Sequence, residues 1–225
     1  LHPGIGDIVT AAASEGRRVG LVTNALLLDD AAGTALIDAG LSSIAFSIDA
    51  ADQAMAQKLR PGTDLDRVVG NIRAFTEKAR AVDRPVSTAV FTAVSTENIR
   101  DLDALVDLVA GLGVHVLMMT DLNFAENRER TLWKGGDDAA KALLRKAVTR
   151  AFAKKLPVLS VHGLEEFGLM SRYDRYLLLP PDSLAQRSTK RTWCCSPWQT
   201  RPVNVRGEVT ICDCQPDREI GNILN

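Results

Sequence analysis

Cysteine is absent from residues 1–193 of this 225-residue chain, and all four cysteines, Cys194, Cys195, Cys212 and Cys214, fall near its end. Aromatic residues make up only 5% of the chain, and its three histidines are too scattered to form a metal site alone. No apolar run approaches the ~18–20 residues of a membrane span, and no signal peptide pattern is found, so we expect a cytoplasmic protein with no membrane partner. A net charge of -1 also gives no basic field to attract nucleic acid.

Apolar residues recur with alternating strand-like and helix-like spacing over roughly the first 160 residues. This pattern predicts strands at 18–23, 42–48, 85–94, 114–119 and 157–161, and helices at 5–15, 29–39, 64–81, 97–110 and 137–155. Strands separated by helices pair in parallel through crossover connections. The short, nearly all-apolar strands fit a sheet that is covered on both faces. A barrel and an open doubly wound sheet both remain possible.

Polar side chains follow the predicted strands, where ligands gather in both of these folds. They are Thr23 and Asn24, Ser47 and Asp49, the run 92–98, and the run 120–123. Thr, Asn, Ser and Asp also favour ordinary turns and helix caps, which is the alternative interpretation at any single position. Four such positions along one rim favour a ligand site.

The cysteines lie beyond a change in composition, which places a domain boundary near 180–190. Residues 203–212 are predicted to form a hairpin with a turn at Arg206 and Gly207. In an extended strand Cys212 and Cys214 point to the same face, and the hairpin brings Cys194 or Cys195 close to Cys212. Thiolates in this arrangement suit an iron–sulfur cluster or zinc, with inert buried thiols as the third alternative.

At several places the sequence resembles the radical S-adenosylmethionine (SAM) enzymes. The opening LHP resembles the residues after the family's Gly-Gly-Glu-Pro motif, GLVTNALLL resembles its TNG strand end, and IAFSIDA its SIDG strand end with Ala50 in place of glycine. The segment KLRPGTDLDRVVGNI resembles the part that follows. CSPWQTRPVNVRGEVTICDC and the later IGNI resemble the start of a SPASM or twitch domain, which carries an auxiliary cluster.

The resemblance implies an α/β fold with two domains. Residues 1–180 would form a partial (β/α)6 TIM-like barrel, and residues 181–225 a small cysteine-rich β-hairpin domain. It places Thr23 and Asn24 near the amino acid part of SAM, Ser47 and Asp49 near its ribose or carboxylate, and the backbone at Leu117, Met118 and Met119 beside adenine. Arg60 would pair with the SAM carboxylate, which a planar guanidinium suits. Solvated surface charge and core packing are the alternatives for Arg60 and the methionines.

The sequence departs from the family because it has no Cys-x3-Cys-x2-Cys loop to hold the radical-generating [4Fe–4S] cluster. We therefore expect that loop to precede Leu1 in a longer protein, and further SPASM cysteines to follow Asn225. Cys194, Cys195, Cys212 and Cys214 would supply ligands of an auxiliary [4Fe–4S] cluster.

The implied function is formation of a 5'-deoxyadenosyl radical from SAM and hydrogen abstraction from a substrate. A peptide or cofactor precursor is the first expectation, with a flavodoxin or ferredoxin as reductant. The polar segment 121–136 is long enough to shape a substrate pocket, and an ordinary surface loop is the alternative. The alternatives are a radical SAM dehydrogenase of small sugars or alcohols and a non-catalytic barrel with a zinc knuckle. A Schiff-base aldolase is disfavoured because no lysine falls on a predicted strand.

Overall fold

The computed structural model describes residues 2–84, 86–121, 130, 138–162, 170–172, 177–179, 208–210 and 219–222. The chain divides into two compact units, Pro3–Leu184 and Ala185–Asn225. The described helices are α1 (Ile5–Ser14), α2 (Asp30–Asp38), α3 (Gln53–Leu59), α4 (Leu65–Ala81), α5 (Leu102–Ala110), preceded by a 3-10 turn at Ile99–Asp101, and α6 (Asp138–Ala153). The described strands are β1 (Gly20–Thr23), β2 (Ser43–Ser47), β3 (Ser87–Val94), β4 (Val116–Asp121), β5 (Val158–His162), β6 (Met170–Arg172), β7 (Leu177–Leu179), β8 (Glu208–Thr210) and β9 (Glu219–Asn222).

The first unit is built on one sheet with the strand order β1-β2-β3-β4-β5-β7-β6. Strands β1 to β5 are parallel, and β7 and β6 add to the β5 edge in antiparallel pairs. A doubly wound sheet needs a reversal in strand order, and this sequential order has none among the parallel strands. Right-handed crossovers between successive neighbours put all the helices on one face, which is the arrangement of a barrel wall.

The burial of β2 shows which face the helices cover. Ile44 and Phe46 are buried while the alternating residues of this strand are partly exposed, and the Phe46 ring packs edge-on against Phe75 of α4 with centroids 5.8 Å apart. On the opposite face Val22 is 71% exposed. The expectation of two covered faces is met along β3, where Thr88, Ala89 and Val90 are buried in succession, and is not met at Val22 on β1.

Local sequence explains where the helices begin and which side they bury. α2, α3 and α4 each start after an aspartate, Asp29, Asp52 and Asp64, whose carboxylate accepts a hydrogen bond from a first-turn backbone N–H. α4 then buries a stripe at helical spacing against the sheet, formed by Leu65, Val68, Ile72, Phe75 and Ala79. No helix in the described parts of the chain has the length and apolarity needed to cross a membrane.

The five predicted strands and five predicted helices of the first unit are confirmed to within a few residues. Helix α3 and strands β6 and β7 were not predicted, because the seven residues of α3 make only about two helical turns and each of the two strands has three residues. In the second unit, β8 pairs antiparallel with β9. The described partner of β8 is thus the segment around Gly221. The predicted turn at Arg206 and Gly207 lies outside the described residues.

Candidate functional site

Asp49 lies at the carboxyl end of β2 and is 9% exposed. Its Oδ1 accepts a hydrogen bond from the Ala93 backbone N–H at 2.8 Å, and its Oδ2 accepts one from Arg60 Nε at 2.5 Å. The Arg60 side chain is 40% exposed, so this ion pair reaches from the sheet edge to solvent. Hydrogen bonds to an ionised group are the stronger kind, and this one joins the end of α3 to the end of the sheet.

Asn98 holds the backbone around Asp49 in place. It is 1% exposed, and its Nδ2 donates to the carbonyls of Asp49 and Ala93, both at 2.9 Å. Its Oδ1 accepts from the Ser95 N–H at 2.8 Å. One buried amide thus satisfies three backbone groups from two strand ends. The sequence put Asn98 within a polar run but gave no sign of this role.

Ser47, Asp49 and Arg60 line one small cleft that is partly open to solvent. The remaining wall residues are Ile48, Ala50, Ala56, Thr63, Leu65 and Val68. Gln53 fixes the turn that closes one side, since its Nε2 donates to the Thr63 carbonyl and its Oε1 accepts from the Leu65 N–H, both at 2.8 Å. The fold therefore brings three of the expected SAM-binding residues together.

Thr23 and Asn24 form a tight turn after β1. Thr23 Oγ1 accepts from the Ala25 N–H at 3.1 Å, and Asn24 Oδ1 accepts from the Leu26 N–H at 3.3 Å. Ala25 adopts φ 58, and Asn71 Nδ2 of α4 donates to its carbonyl at 2.8 Å. Because Thr23 pairs in register with Phe46, it lies on the helix-covered face, away from the Ser47 side. These two residues do not line the cleft.

The three residues expected beside adenine are divided between the two faces of β4. Leu117 and Met119 are fully buried in the core, so only their backbones could border a ligand. Met118 lies in register with Phe91, which in turn pairs with Ser47, so these three residues share the partly exposed face. Of this expected trio, Met118 alone has a side chain on the Ser47 side of the sheet.

Cys194, Cys195, Cys212 and Cys214 lie outside the described residues. Within the described part of the chain, no cluster of three or more His, Cys, Asp or Glu side chains could hold a metal ion. The predicted metal site thus stays a prediction from the sequence.

A parallel α/β wall with a polar cleft at the carboxyl ends of its strands is the arrangement of barrel proteins, in which this end of the sheet carries the active site. Residues 1–109 match the family model described as the radical SAM superfamily. No curated protein matches the sequence.

Solved structures show the same fold at low sequence identity. Streptococcus suis SuiB bound to S-adenosylmethionine is 15% identical with a TM-score of 0.62, and the match covers 94% of this chain and 46% of SuiB. SuiB bound to its precursor peptide SuiA gives the same TM-score at 14% identity. TYW1 with a lysine-pyruvate adduct bound is 14% identical with a TM-score of 0.54, over 81% of this chain and 53% of TYW1. The chain thus spans about half the length of these proteins.

Proposed function

We propose that this chain binds SAM in the cleft of Ser47, Asp49 and Arg60 and serves a radical SAM reaction. The observation that carries the proposal is the Asp49–Arg60 ion pair at the carboxyl end of the sheet, within the residues that match the radical SAM family model. This pair presents an anionic acceptor and a cationic donor side by side, next to the Ser47 hydroxyl. SAM offers the matching groups, namely ribose hydroxyls, a carboxylate and cationic centres.

The polar groups of the cleft suit those of SAM. The Asp49 carboxylate can accept from ribose hydroxyls while the Ala93 N–H keeps it oriented. Arg60 contacts Asp49 through Nε in the described structure, and its planar guanidinium suits a second, bidentate contact with the SAM carboxylate. Thr23 and Asn24 would act indirectly, through the turn that begins α2, and Met118 would meet the ligand from the open face of the sheet.

When SAM binds to a reduced [4Fe–4S] cluster, it supplies a 5'-deoxyadenosyl radical that removes a hydrogen atom from the substrate. The sequence contains no Cys-x3-Cys-x2-Cys loop for that cluster, so no step through the cluster is assigned to these residues. Their part in the reaction is to bind SAM, to orient it and to shield it from water.

The second unit is proposed to be the start of a SPASM-type domain. Cys194, Cys195, Cys212 and Cys214 would ligate an auxiliary [4Fe–4S] cluster, because thiolates close to a hairpin are soft ligands that suit iron–sulfur chemistry. Zinc in their place would instead support the non-catalytic binding module.

A peptide is the proposed substrate, and the support is that SuiB, a structural neighbour, is seen with its precursor peptide. Small sugars or alcohols are the alternative substrate class. A flavodoxin or ferredoxin is the proposed reductant, and the cytoplasm is the proposed location.

Calorimetric titration with SAM tests the proposal directly. Asp49→Asn keeps the shape of the side chain but removes its charge, so SAM affinity should fall by about 10- to 100-fold, the value of a charged hydrogen bond. Asp66→Asn, the same change at an exposed position on α4, is the matched control and should leave affinity unchanged. Equal SAM affinity in both variants would refute the proposed site.

Iron, sulfide and zinc analysis of anaerobically purified protein tests the metal proposal. A variant with all four cysteines changed to alanine should lose about four irons per chain, the content of one [4Fe–4S] cluster. If the unchanged protein holds zinc and no iron, the radical SAM proposal fails and the binding module is supported.

A further inference from the structure

Three charged side chains from three different connections meet at the carboxyl end of the sheet. Lys58 comes from α3, Glu97 from the turn after β3, and Arg130 from the connection between β4 and α6. Lys58 Nζ lies 3.2 Å from Glu97 Oε1, and Arg130 Nη2 contacts Glu97 Oε2. The backbone adds a further link, because the Thr96 N–H donates to the Arg130 carbonyl at 3.0 Å.

The Glu97–Arg130 contact is more sheltered than an ordinary surface ion pair. The two side chains are 24% and 33% exposed, and Glu97 Oε2 and Arg130 Nε are shielded from solvent. The pKa of Glu97 is lowered, first by the hydrogen bond from Lys58 and then by the charge of Arg130, against the opposing effect of burial. Glu97 is therefore ionised at neutral pH, and loss of one partner would leave the other charge partly buried and unpaired.

The turn that holds Arg130 is the same turn that holds Asp49. Asn98 bonds the Asp49 carbonyl and the Ser95 N–H, and Ser95 Oγ accepts from the Glu97 N–H at 3.3 Å. Hydrogen bonds thus run from the Asp49 carbonyl through Asn98 and Ser95 to the Glu97 N–H, and the same turn holds Arg130 through the Thr96 N–H and the Glu97 carboxylate. Neither Glu97 nor Arg130 lines the cleft.

We propose that SAM binding in the Asp49 cleft and the attachment of Arg130 to Thr96 and Glu97 stabilise each other. The inference rests on the proposed function, since it needs SAM in that cleft. A ligand that contacts Asp49 restrains the turn built on its backbone and so favours the conformation that binds Arg130. Linkage is reciprocal, so the attachment of Arg130 raises SAM affinity by the same factor.

Glu97 and Arg130 are in this view positioning residues, which act on the cofactor through the Ser95–Asn98 turn. Arg130 belongs to the segment 121–136, for which a role in shaping the substrate pocket is proposed.

Amide hydrogen exchange at Thr96, measured on the intact anaerobic protein with and without SAM, tests the coupling. SAM should slow Thr96 exchange by about fivefold or more, the lower end of typical coupling between sites. Glu97→Gln should remove this SAM-dependent difference and lower SAM affinity by the same factor. Arg130→Lys keeps a cation and should retain part of both effects. Asp103→Asn, which breaks the remote 2.5 Å ion pair with Lys146 on α5 and α6, should behave like the unchanged protein.

Three results would overturn the inference, and they are distinguishable. If SAM binds the unchanged protein but Thr96 exchange stays the same, the coupling is absent while the proposed function stands. If calorimetry shows no SAM binding to the unchanged protein, the proposed function fails and the coupling fails with it. If SAM slows Thr96 exchange in Glu97→Gln as much as in the unchanged protein, Glu97 does not have its proposed role.

Discussion

The two ends of the parallel sheet use polar groups in opposite ways. At the carboxyl end, Asp49 and Asn98 lie 49 residues apart in sequence and together bind backbone groups from two strand ends around a cleft. At the amino end, Arg84 donates to the carbonyls of Gly40 and Ile37, at 2.9 and 3.1 Å, where α2 ends. The first arrangement builds a site, and the second completes a helix end.

Backbone conformation at the amino end supports the same contrast. Gly40 has φ 105, and the Gly40 and Leu41 amides bond back to the carbonyls of Ile37 and Leu36, which is a Schellman ending of α2. These are local contacts that any helix of this kind makes. Changes at the amino end should therefore affect stability alone, and changes at the carboxyl end should affect both stability and SAM affinity.

The largest effect is expected at Asn98. Asn98→Ala leaves three buried backbone groups without their partner, so the free energy of unfolding should fall by about 3 kcal/mol. Urea unfolding measures this loss, and calorimetry should show weaker SAM binding in the same variant. Asn98→Asp keeps the acceptor for the Ser95 N–H and should lose less stability. A loss below about 1 kcal/mol in Asn98→Ala would contradict the role given to this amide.

At the amino end, Gly40→Ala should cost about 2 kcal/mol from backbone strain and overpacking. A Cβ added to Gly40 would meet the Ala13 Cβ at 2.6 Å, besides the unfavourable φ of 105. Gly62→Ala is the matched variant, because Gly62 has φ 85 but no atom within 4 Å of an added Cβ. Thermal unfolding should separate the two, and SAM affinity should stay unchanged in Gly40→Ala.

Arg84→Ala should have a smaller effect, about 1 kcal/mol, because its two hydrogen bonds reach carbonyls near the surface. Urea unfolding of this variant measures the loss, with Arg84→Lys as the control that keeps the charge. A clear fall in SAM affinity on Arg84→Ala would break the distinction drawn between the two ends.

The smallest effect concerns the exposed side of the helices. The pKa of Asp107 on α5 is lowered to about 2, first by the hydrogen bond from Arg150 and then by that from Lys154 on α6. Because the folded pKa lies below the unfolded value of 3.8, this stabilisation is present above about pH 4 and is lost as the pH falls towards 2. In a plot of unfolding temperature against pH, Asp107→Asn should reduce the fall between pH 4 and pH 2. Asp66→Asn should leave this fall unchanged.

Periodicity in the sequence predicted most of the first unit, because each strand and helix buries its own apolar stripe. The spacing of Val68, Ile72 and Phe75 fixes α4 without knowledge of its neighbours, and the capping aspartates mark where α2 and α4 begin. The motifs at Ser47, Asp49 and Arg60 likewise pointed to residues that the fold brings into one cleft. The sequence did not predict helix α3, because its seven residues are too few to show a clear helical period.

By itself the sequence determined the alternation of parallel strands and helices, the polar rim and the placing of the cysteines, because these depend on local composition and spacing. Only the tertiary structure decided the sequential strand order with one helix-covered face, the burial of Leu117 and Met119 away from the Ser47 side, and the contacts of Asn98 and Arg130. Those features depend on hydrogen bonds and ion pairs between residues far apart in the chain, and such partners leave no periodic signal in the sequence.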